Sequence, residues 1–447
     1  SATQGYDSSM MNGLLILPSY ADYFRVSEGV KSLDVSIVFA GCVVATPFAG
    51  WISDKYGRKK AMAITALLAI FGAAIQSAAV HFAMFCVGRF IVGISITTGS
   101  ACSPNYISEV AHPRHRVFLT GVYGSTWYVG SLLAACITFG SQYIQSTWAW
   151  RLPSLLQFIP SILCLVPLPF IPESPRWLIY KDRHDEAKEV LIKYHGNGDP
   201  NSTLVALEFE EILQTLEYEK SVQKTSFKAL VATRANRWRF GIALAVGIFG
   251  QISGNNIISY YLGSALDSAG VTDVPSQLAI SIGLSVWNLV CAMIGSAYMD
   301  KVGRRPASLF VSGSMGVLLL VNAIITRFYL DSPTTASSAG SVLLIFLFYG
   351  CYSLVWTPLA WIYPIEVLSY SLRANGLAAY SGALYLAAFF NTYAIPYAME
   401  WSSWGFYLIT ALWCLVGEVA IVWFYFPETK GMTLEEVDKI FDGQTHS

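Results

Sequence analysis

The sequence predicts an all-α membrane protein with twelve transmembrane helices in two pseudo-symmetric six-helix halves. Three observations predict this fold. The 447-residue chain is 54% hydrophobic and only 13% charged, whereas a soluble domain carries about 25% charged residues. Its apolar residues fall into stretches of about 20, the length at which a helix crosses a bilayer. Short motifs also recur in the same order in the two parts of the chain.

The first half contains six candidate spans. They are residues 1–20, 35–53, 61–80, 82–106, 117–140 and 151–171. Because the chain opens at Ser1 without Met and already inside an apolar stretch, we expect the first span to be clipped and the native start to lie upstream.

The second half contains six more spans after one long polar interval, which we treat as a linker. The spans are residues 238–265, 276–299, 306–327, 341–364, 374–397 and 402–426. The predicted division is therefore an N-terminal half 1–171, a linker 172–237, a C-terminal half 238–426 and a tail 427–447. Charge patterns in the linker, such as DEAKEVLIKY at 185–194, predict short amphipathic helices that lie under the bundle.

The distribution of Lys and Arg predicts the orientation. Most of them fall in the linker, the tail and the even-to-odd loops, whereas the opposite loops and the end of the ninth span hold only Arg25, Lys31 and Arg327. Positive charge is retained on the cytoplasmic side of a membrane. We therefore expect the linker and both termini to be cytoplasmic.

Several function classes are disfavoured. The net charge of −1 gives no reason to expect a nucleic-acid partner. The eight cysteines lie in apolar stretches without a CxxC pair, which disfavours disulfides and zinc sites. We find no P-loop, no GxSxG motif and no metal-ligand cluster, so we expect no cofactor, no metal and no enzymatic activity.

Three pairs of motifs mark the internal repeat. DKYGRK at 54–59 returns as DKVGRR at 300–305, EVAHPRHR at 109–116 as EVLSYSLR at 366–373, and PESPRW at 172–177 as PETKG at 427–431. Three echoes in one order imply two halves related by pseudo-symmetry. Transporters use this plan, with a substrate site between halves that rock against each other.

At these motifs the chain resembles the sugar porter family of the major facilitator superfamily, over nearly its whole length. The stretches GYDSSMMNG (5–13), TWYVGSLLAA (126–135) and TWAWRLPSLLQ (147–157) are similar to its fungal branch of lactose-permease-like and hexose carriers. The resemblance implies a carrier in the plasma membrane that imports a small sugar by alternating access. A monomer suffices for that mechanism, and we expect one. The resemblance does not fix the sugar.

Asp7 and Arg89 are the candidate proton-coupling pair. A carboxylate in an apolar span costs at least ~2.5 kcal/mol and needs a partner, a proton or water. In the family that the chain resembles, proton-coupled members carry an Asp at the position of Asp7, and an Arg at the position of Arg89 pairs with it. The implied mechanism is an Asp7 that pairs with Arg89 when ionised and releases it when protonated. A permanent structural ion pair is the alternative.

The same resemblance implies a set of sugar-binding positions. This chain retains them at Gln251, Asn256, Tyr260, Asn288 and Trp361. Polar side chains in apolar helices are costly unless they are paired or face water, which favours a lined cavity. Hydrogen bonding between helices is the alternative role.

Three departures concern the size of the pocket. Gly124 and Gly250 stand where the family usually has Gln, and Leu384 with Tyr385 replaces an Asn or Gln followed by Trp. A roomier site favours a disaccharide, although a hexose or pentose bound differently, a polyol or a non-sugar solute stays open. Close helix packing is another explanation for the glycines.

Acidic and basic residues at the cytoplasmic ends of the spans are candidates for gating. They are Asp54, Arg58, Glu109, Arg116, Glu173, Arg176, Asp300, Arg304, Glu366, Arg373 and Glu428. We expect them to form ion pairs that latch the cytoplasmic side and break in each cycle, since surface pairs contribute only ~0–1 kcal/mol. Topology signalling by Lys and Arg alone is the alternative.

Two other functions remain on this scaffold. A passive uniporter would lack the proton coupling. A sugar sensor would be expected to carry a long cytoplasmic tail, and the segment after residue 426 is short. The proton-coupled carrier is therefore the preferred hypothesis.

Overall fold

The computed structural model describes residues 1–221, 227–329, 334–369, 372–432 and 434–442. Within these ranges it does not describe the side chains of 113–118, 120, 121, 218–221, 300, 374, 434, 435, 438 and 442. The described chain is helical, and no strand occurs within these ranges. The predicted all-α fold class is confirmed.

The first half consists of six spans. They are span 1 (Ala2–Ile16 and Pro18–Phe24), span 2 (Glu28–Tyr56), span 3 (Arg58–Ser77), span 4 (Phe82–Val110), span 5 (Pro113–Ser141) and span 6 (Trp148–Leu156 and Ile159–Leu165). The break in span 1 lies at Leu17, because the following Pro18 forces its neighbour into an extended conformation.

The second half repeats this arrangement. It consists of span 7 (Arg234–Ile252 and Asn255–Ser268), span 8 (Val274–Val302), span 9 (Arg304–Tyr329), span 10 (Thr335–Val367), span 11 (373–401) and span 12 (403–425). Spans 11 and 12 form one helical stretch that kinks at the non-helical Ser402. Gly254, with φ +93°, breaks span 7, and a side chain would strain this left-handed backbone.

Nine helical stretches among the described residues are long and apolar enough to cross a membrane. The last of them, 375–425, contains spans 11 and 12. Spans 1 and 6, each divided into two shorter helices, bring the number of spans to twelve among the described residues. The predicted spans match these helices to within a few residues at most of their ends.

The linker folds into short helices at one end of the bundle. They are Pro175–Tyr180, His184–Tyr194, Thr203–Ser221 and a 3₁₀ turn at Phe227–Val231. Trp177, Ala187 and Leu216 belong to a small core shared by the first three. The His195 Nε2 atom lies 3.0 Å from the carbonyl oxygen of Val110, which ties the linker to span 4. We call this end of the bundle the linker end and the opposite one the far end.

Spans 1 and 5 approach each other so closely that backbone meets backbone. A methyl group added at Gly130 would overlap the carbonyl oxygen of Ala2, whereas one added at Gly140, ten residues further along span 5, would meet nothing within 4 Å. Small residues permit this kind of approach between membrane helices.

Gly130→Ala is therefore expected to destabilise the protein by ~1–3 kcal/mol, the usual cost of overpacking a tight contact. Thermal unfolding of the purified protein in detergent measures this. Gly140→Ala is the matched control and should unfold at the wild-type temperature. Equal melting temperatures for the two variants would contradict the close approach.

Candidate functional site

Arg89 of span 4 is a fully buried guanidinium at the centre of the first half. Its Nη1 and Nη2 atoms donate to the two carboxylate oxygens of Asp7 at 3.1 and 3.3 Å. Its Nε atom donates to the backbone oxygen of Asp34 at 2.6 Å. Asp7 also accepts a hydrogen bond of 2.9 Å from Gln157 Nε2. The structure thus brings the two predicted proton-coupling residues into a bidentate ion pair.

Asp34 of span 2 is a second buried carboxyl group in this network, and the sequence analysis did not single it out. Its side chain is fully buried, and Tyr20 of span 1 donates a hydrogen bond to its Oδ2 atom. The Nε atom of Arg89 lies 3.9 Å from Asp34 Oδ1. The available signal was an Asp six residues into an apolar helix. Span 2 was predicted to begin at residue 35, which placed Asp34 outside the membrane.

A narrow cavity lies between the two halves, among spans 1, 5, 7, 8 and 10. Asn288 is the one predicted sugar-binding residue that lines it. Most other lining groups are hydroxyls and amides, among them Ser8, Asn12, Ser131, Ser259 and Tyr349. About 20 Å³ is open to the centres of water molecules. That space holds one or two waters and not a sugar.

The polar groups around this cavity join the halves. Asn12 accepts a hydrogen bond of 3.0 Å from the backbone N–H of Leu262, which the non-helical Tyr261 before it leaves free. The hydroxyl oxygens of Ser131 and Ser285 lie 3.0 Å apart, within hydrogen-bond distance. The sequence did not predict these serines, because a single serine in an apolar helix is not a recognisable signal.

Gln251 and Asn256 flank the break in span 7. The Asn256 Nδ2 atom donates to the backbone oxygen and to Oε1 of Gln251, at 3.1 and 3.3 Å, and Asn391 of span 11 donates to the same backbone oxygen. These amides satisfy a carbonyl that the interrupted helix leaves open.

The remaining predicted sugar-binding residues lie apart from the cavity lining. Tyr260 is buried, with its ring 5.7 Å from that of Phe39 in the other half. Tyr385 is buried in span 11, whereas Trp361 in span 10 is 46% exposed. The structure therefore does not gather all predicted contacts around one sugar-sized space.

Gly124 and Gly250 have room around them. A methyl group added at Gly124 would meet nothing within 4 Å, and one added at Gly250 would meet only the Tyr352 hydroxyl, at 3.6 Å. Close helix packing therefore does not require either glycine in this structure.

The gating candidates of the first half form a compact cluster at the linker end. Arg58 donates to both carboxylate oxygens of Glu109, at 3.0 and 3.1 Å, and to Asp54 at 3.2 Å. Glu173 accepts the backbone N–H groups of Arg58 and Lys59 at the start of span 3. Acidic groups are stabilised at such helix starts by the helix dipole.

The second half repeats the pair of Arg58 with Glu109 and the glutamate at the helix start. Arg304 donates to Glu366 at 3.2 and 2.7 Å, and Glu428 accepts the backbone N–H groups of Arg304 and Arg305 at 3.0 and 3.1 Å. Thr429 donates to Glu366 at 2.6 Å, as Ser174 donates to Glu109 at 2.5 Å. The motifs that recur in the sequence therefore form the same contacts in both halves.

Each of these ion pairs joins elements of one half. In this structure these ion pairs therefore do not connect the two halves. Arg176 takes part in interactions outside those described above. Arg373 donates to the Leu368 backbone oxygen at 3.5 Å. The side chains of Arg116 and Asp300 lie outside the described residues.

Comparison with known proteins gives one family. Residues 1–441 match the family model described as sugar (and other) transporter. The chain is 28% identical to the MFS-type transporter criB of Aspergillus cristatus over 98% of this chain and 90% of that protein. It is 29% identical to a high-affinity glucose transporter of Kluyveromyces lactis over 98% of this chain and 82% of that protein.

The fold is similar to that of the xylose transporter XylE from E. coli. The inward-open form gives a TM-score of 0.80 at 24% identity and covers 98% of this chain and 97% of that chain. A form described as a proton:xylose symporter bound to 6-bromo-6-deoxy-D-glucose gives a TM-score of 0.79 at 24% identity, over 98% of this chain and 96% of that chain. At this identity the likeness establishes the fold.

Arg304→Lys should destabilise the protein by ~1–2 kcal/mol, because Lys cannot form the bidentate pair with Glu366. Arg183→Lys is the matched control: its pair with Glu186 is about half exposed and contributes little. Thermal unfolding in detergent compares the two. A melting temperature for Arg304→Lys as high as that of Arg183→Lys would contradict a structural role for the repeated cluster.

Proposed function

The chain belongs to the sugar transporter family of the major facilitator superfamily, and on that premise we propose that it imports a sugar together with a proton by alternating access. The observation that carries the proposal is the buried network of Asp7, Arg89 and Gln157. Arg89 is permanently charged and has no access to solvent. A buried charge must be compensated, so the state of Asp7 controls the balance of the whole half.

Protonation of Asp7 is the proposed coupling step. A neutral acid is a weaker acceptor than a carboxylate, so the bidentate pair between span 1 and span 4 weakens. Span 1 also faces span 7 across the cavity, where Asn12 bonds to Leu262. A change at Asp7 therefore acts on the helix that joins the two halves.

Sugar binding is proposed at the middle of the bundle, between the halves. Asn288 contributes from the cavity itself, and Gln251, Asn256, Tyr260, Trp361 and Tyr385 contribute after the halves have moved. The cavity of this structure is too narrow for a sugar, as expected of a carrier whose site changes shape during its cycle. Hydroxyls and amides suit the donors and acceptors of a sugar.

A disaccharide is the proposed substrate. Gly124 and Gly250 leave unfilled space at two positions where the family usually places Gln side chains. Larger space with fewer direct contacts favours a larger sugar over a hexose.

The proposed setting is the plasma membrane, with the linker and both termini in the cytoplasm and the protein acting as a monomer. The excess of Lys and Arg at the linker end supports this orientation. The far end would then face outward. Toward that side, Tyr261 of span 7 donates a hydrogen bond of 2.7 Å to the Thr392 backbone oxygen.

Asp7→Asn should abolish accumulation of sugar against its gradient while leaving some exchange, because the amide cannot carry the transported proton. Uptake of radiolabelled lactose and glucose into proteoliposomes, with and without an inward proton gradient, measures this. Asp22→Asn is the control, since Asp22 lies exposed on the same span. Gradient-driven accumulation by Asp7→Asn would show the coupling assignment to be wrong.

Gly124→Gln and Gly250→Gln should each lower disaccharide uptake about tenfold relative to hexose uptake, because a misfit in a pocket costs ~1–3 kcal/mol. Competition between unlabelled sugars in the same vesicles measures the ratio. Gly140→Gln, at an exposed and open position of span 5, should leave the ratio unchanged. A wild-type protein that prefers hexoses, or an unchanged ratio in both variants, would rule out the enlarged pocket.

A further inference from the structure

We propose that Asp34 is a second proton-carrying group of this transporter, which receives the incoming proton and passes it to Asp7. The inference rests on the proposed proton coupling and deepens it. Two carboxyl groups, Asp7 and Asp34, share one guanidinium in a site without solvent.

The charge count of the site requires a proton. Asp7 and Asp34 are 2% and 0% exposed, and Arg89 is 0% exposed. With both acids ionised the site carries a net charge of −1, and with both protonated it carries +1. Either net charge is costly in a low-dielectric interior. The stable state therefore has one proton shared between the two carboxyl groups.

The hydrogen bonds show which acid holds that proton here. Asp7 accepts three, two from Arg89 and one from Gln157, as an ionised carboxylate does. Asp34 accepts one, from Tyr20, and its buried Oδ1 atom has no hydrogen-bond partner in the described structure. Three donors stabilise the carboxylate of Asp7 and one donor faces Asp34, so we assign the proton to Asp34.

The groups that face Asp34 leave few other places for the proton. Tyr20 and Asp7 face it from span 1, Arg89 and Cys86 from span 4, and Tyr261 from span 7. Of these, only Asp7 is a second carboxyl group. Nearer the far end of span 2, Lys31 and Glu28 pair with each other at 2.8 Å.

The transfer balances in atoms and charge. The O–H bond of Asp34 breaks, an O–H bond forms on Asp7, and the guanidinium of Arg89 shifts its ion pair from Asp7 to Asp34. Its Nε atom already lies 3.9 Å from Asp34 Oδ1 and bonds to the backbone oxygen of the same residue. The site stays neutral before and after. Asp34 lies six residues from the far-end start of span 2, whereas Asp7 lies 17 residues before Phe24 at the far end of span 1. In the proposed orientation Asp34 is therefore the acid nearer the outside.

The test compares Asp34→Asn, Asp34→Glu and Asp7→Asn in the full chain in proteoliposomes, with radiolabelled lactose and glucose and an imposed inward proton gradient. Asp34→Asn is expected to lose at least tenfold in gradient-driven accumulation while exchange continues, and Asp34→Glu is expected to recover most of it. Asp22→Asn is the control and should match the wild type.

The outcomes separate the two proposals. If Asp7→Asn loses accumulation and Asp34→Asn keeps it, Asp34 is a structural residue and this inference fails alone. If Asp7→Asn keeps accumulation, the proposed coupling fails, and the transfer to Asp7 fails with it. Loss in both, with recovery in Asp34→Glu, supports both.

An infrared measurement decides the matter where a variant does not transport either sugar. The wild-type protein at neutral pH should show the carbonyl absorption of a protonated buried carboxyl group, and Asp34→Asn should lose part of it. Glu418→Gln accounts for the other buried acid, whose oxygens accept hydrogen bonds from Ser312 and Trp413. An identical carboxyl absorption in Asp34→Asn and wild type would overturn the inference.

Discussion

The buried guanidinium of Arg89 is the constraint on which the first half of the molecule depends. A permanent charge without solvent must be neutralised by its neighbours, and removing one partner of such a pair typically costs ~3–5 kcal/mol. Span 1 supplies the Asp7 carboxylate, span 2 accepts from Arg89 at the Asp34 backbone oxygen, and span 6 supplies Gln157, which donates to Asp7. Four helices are thereby held by one charge, so a change in protonation reaches all of them.

The polar contacts within each half differ in kind from the polar contacts between the halves. Within each half, a bidentate Arg–Glu pair and a glutamate on the next helix start hold the linker end together. Between the halves, the contacts include single hydrogen bonds among hydroxyls, amides and backbone groups. Each such bond contributes only ~1 kcal/mol net. Hydrogen bonds between the halves that can break singly suit the rocking motion of a carrier.

The sequence was sufficient for the fold and for part of the site. Apolar stretches of about 20 residues place the spans. The paired motifs predicted ion pairs at the cytoplasmic ends, but not which glutamate Arg58 or Arg304 contacts. The Asp34 carboxyl was missed because helix ends are the least certain feature of an apolar pattern, and a shift of a few residues moved it out of the membrane. Ser131 and Ser285 of the cavity were missed because only the packing of five spans brings them together. In the sequence, Gly124 and Gly250 fit either an enlarged pocket or close helix packing. Only the distances from each glycine to neighbouring atoms distinguish these two explanations.

The most direct test of the account is whether sugar entry moves protons. Purified protein is reconstituted in vesicles that contain a pH-sensitive dye, and lactose, glucose or a panel of related sugars is added outside without an imposed gradient. The account predicts acidification of the vesicle interior that follows sugar uptake and is abolished by a protonophore. Sugar equilibration with no change in internal pH would contradict it, leaving the fold and the family intact but making Arg89 and its carboxylates a purely structural network.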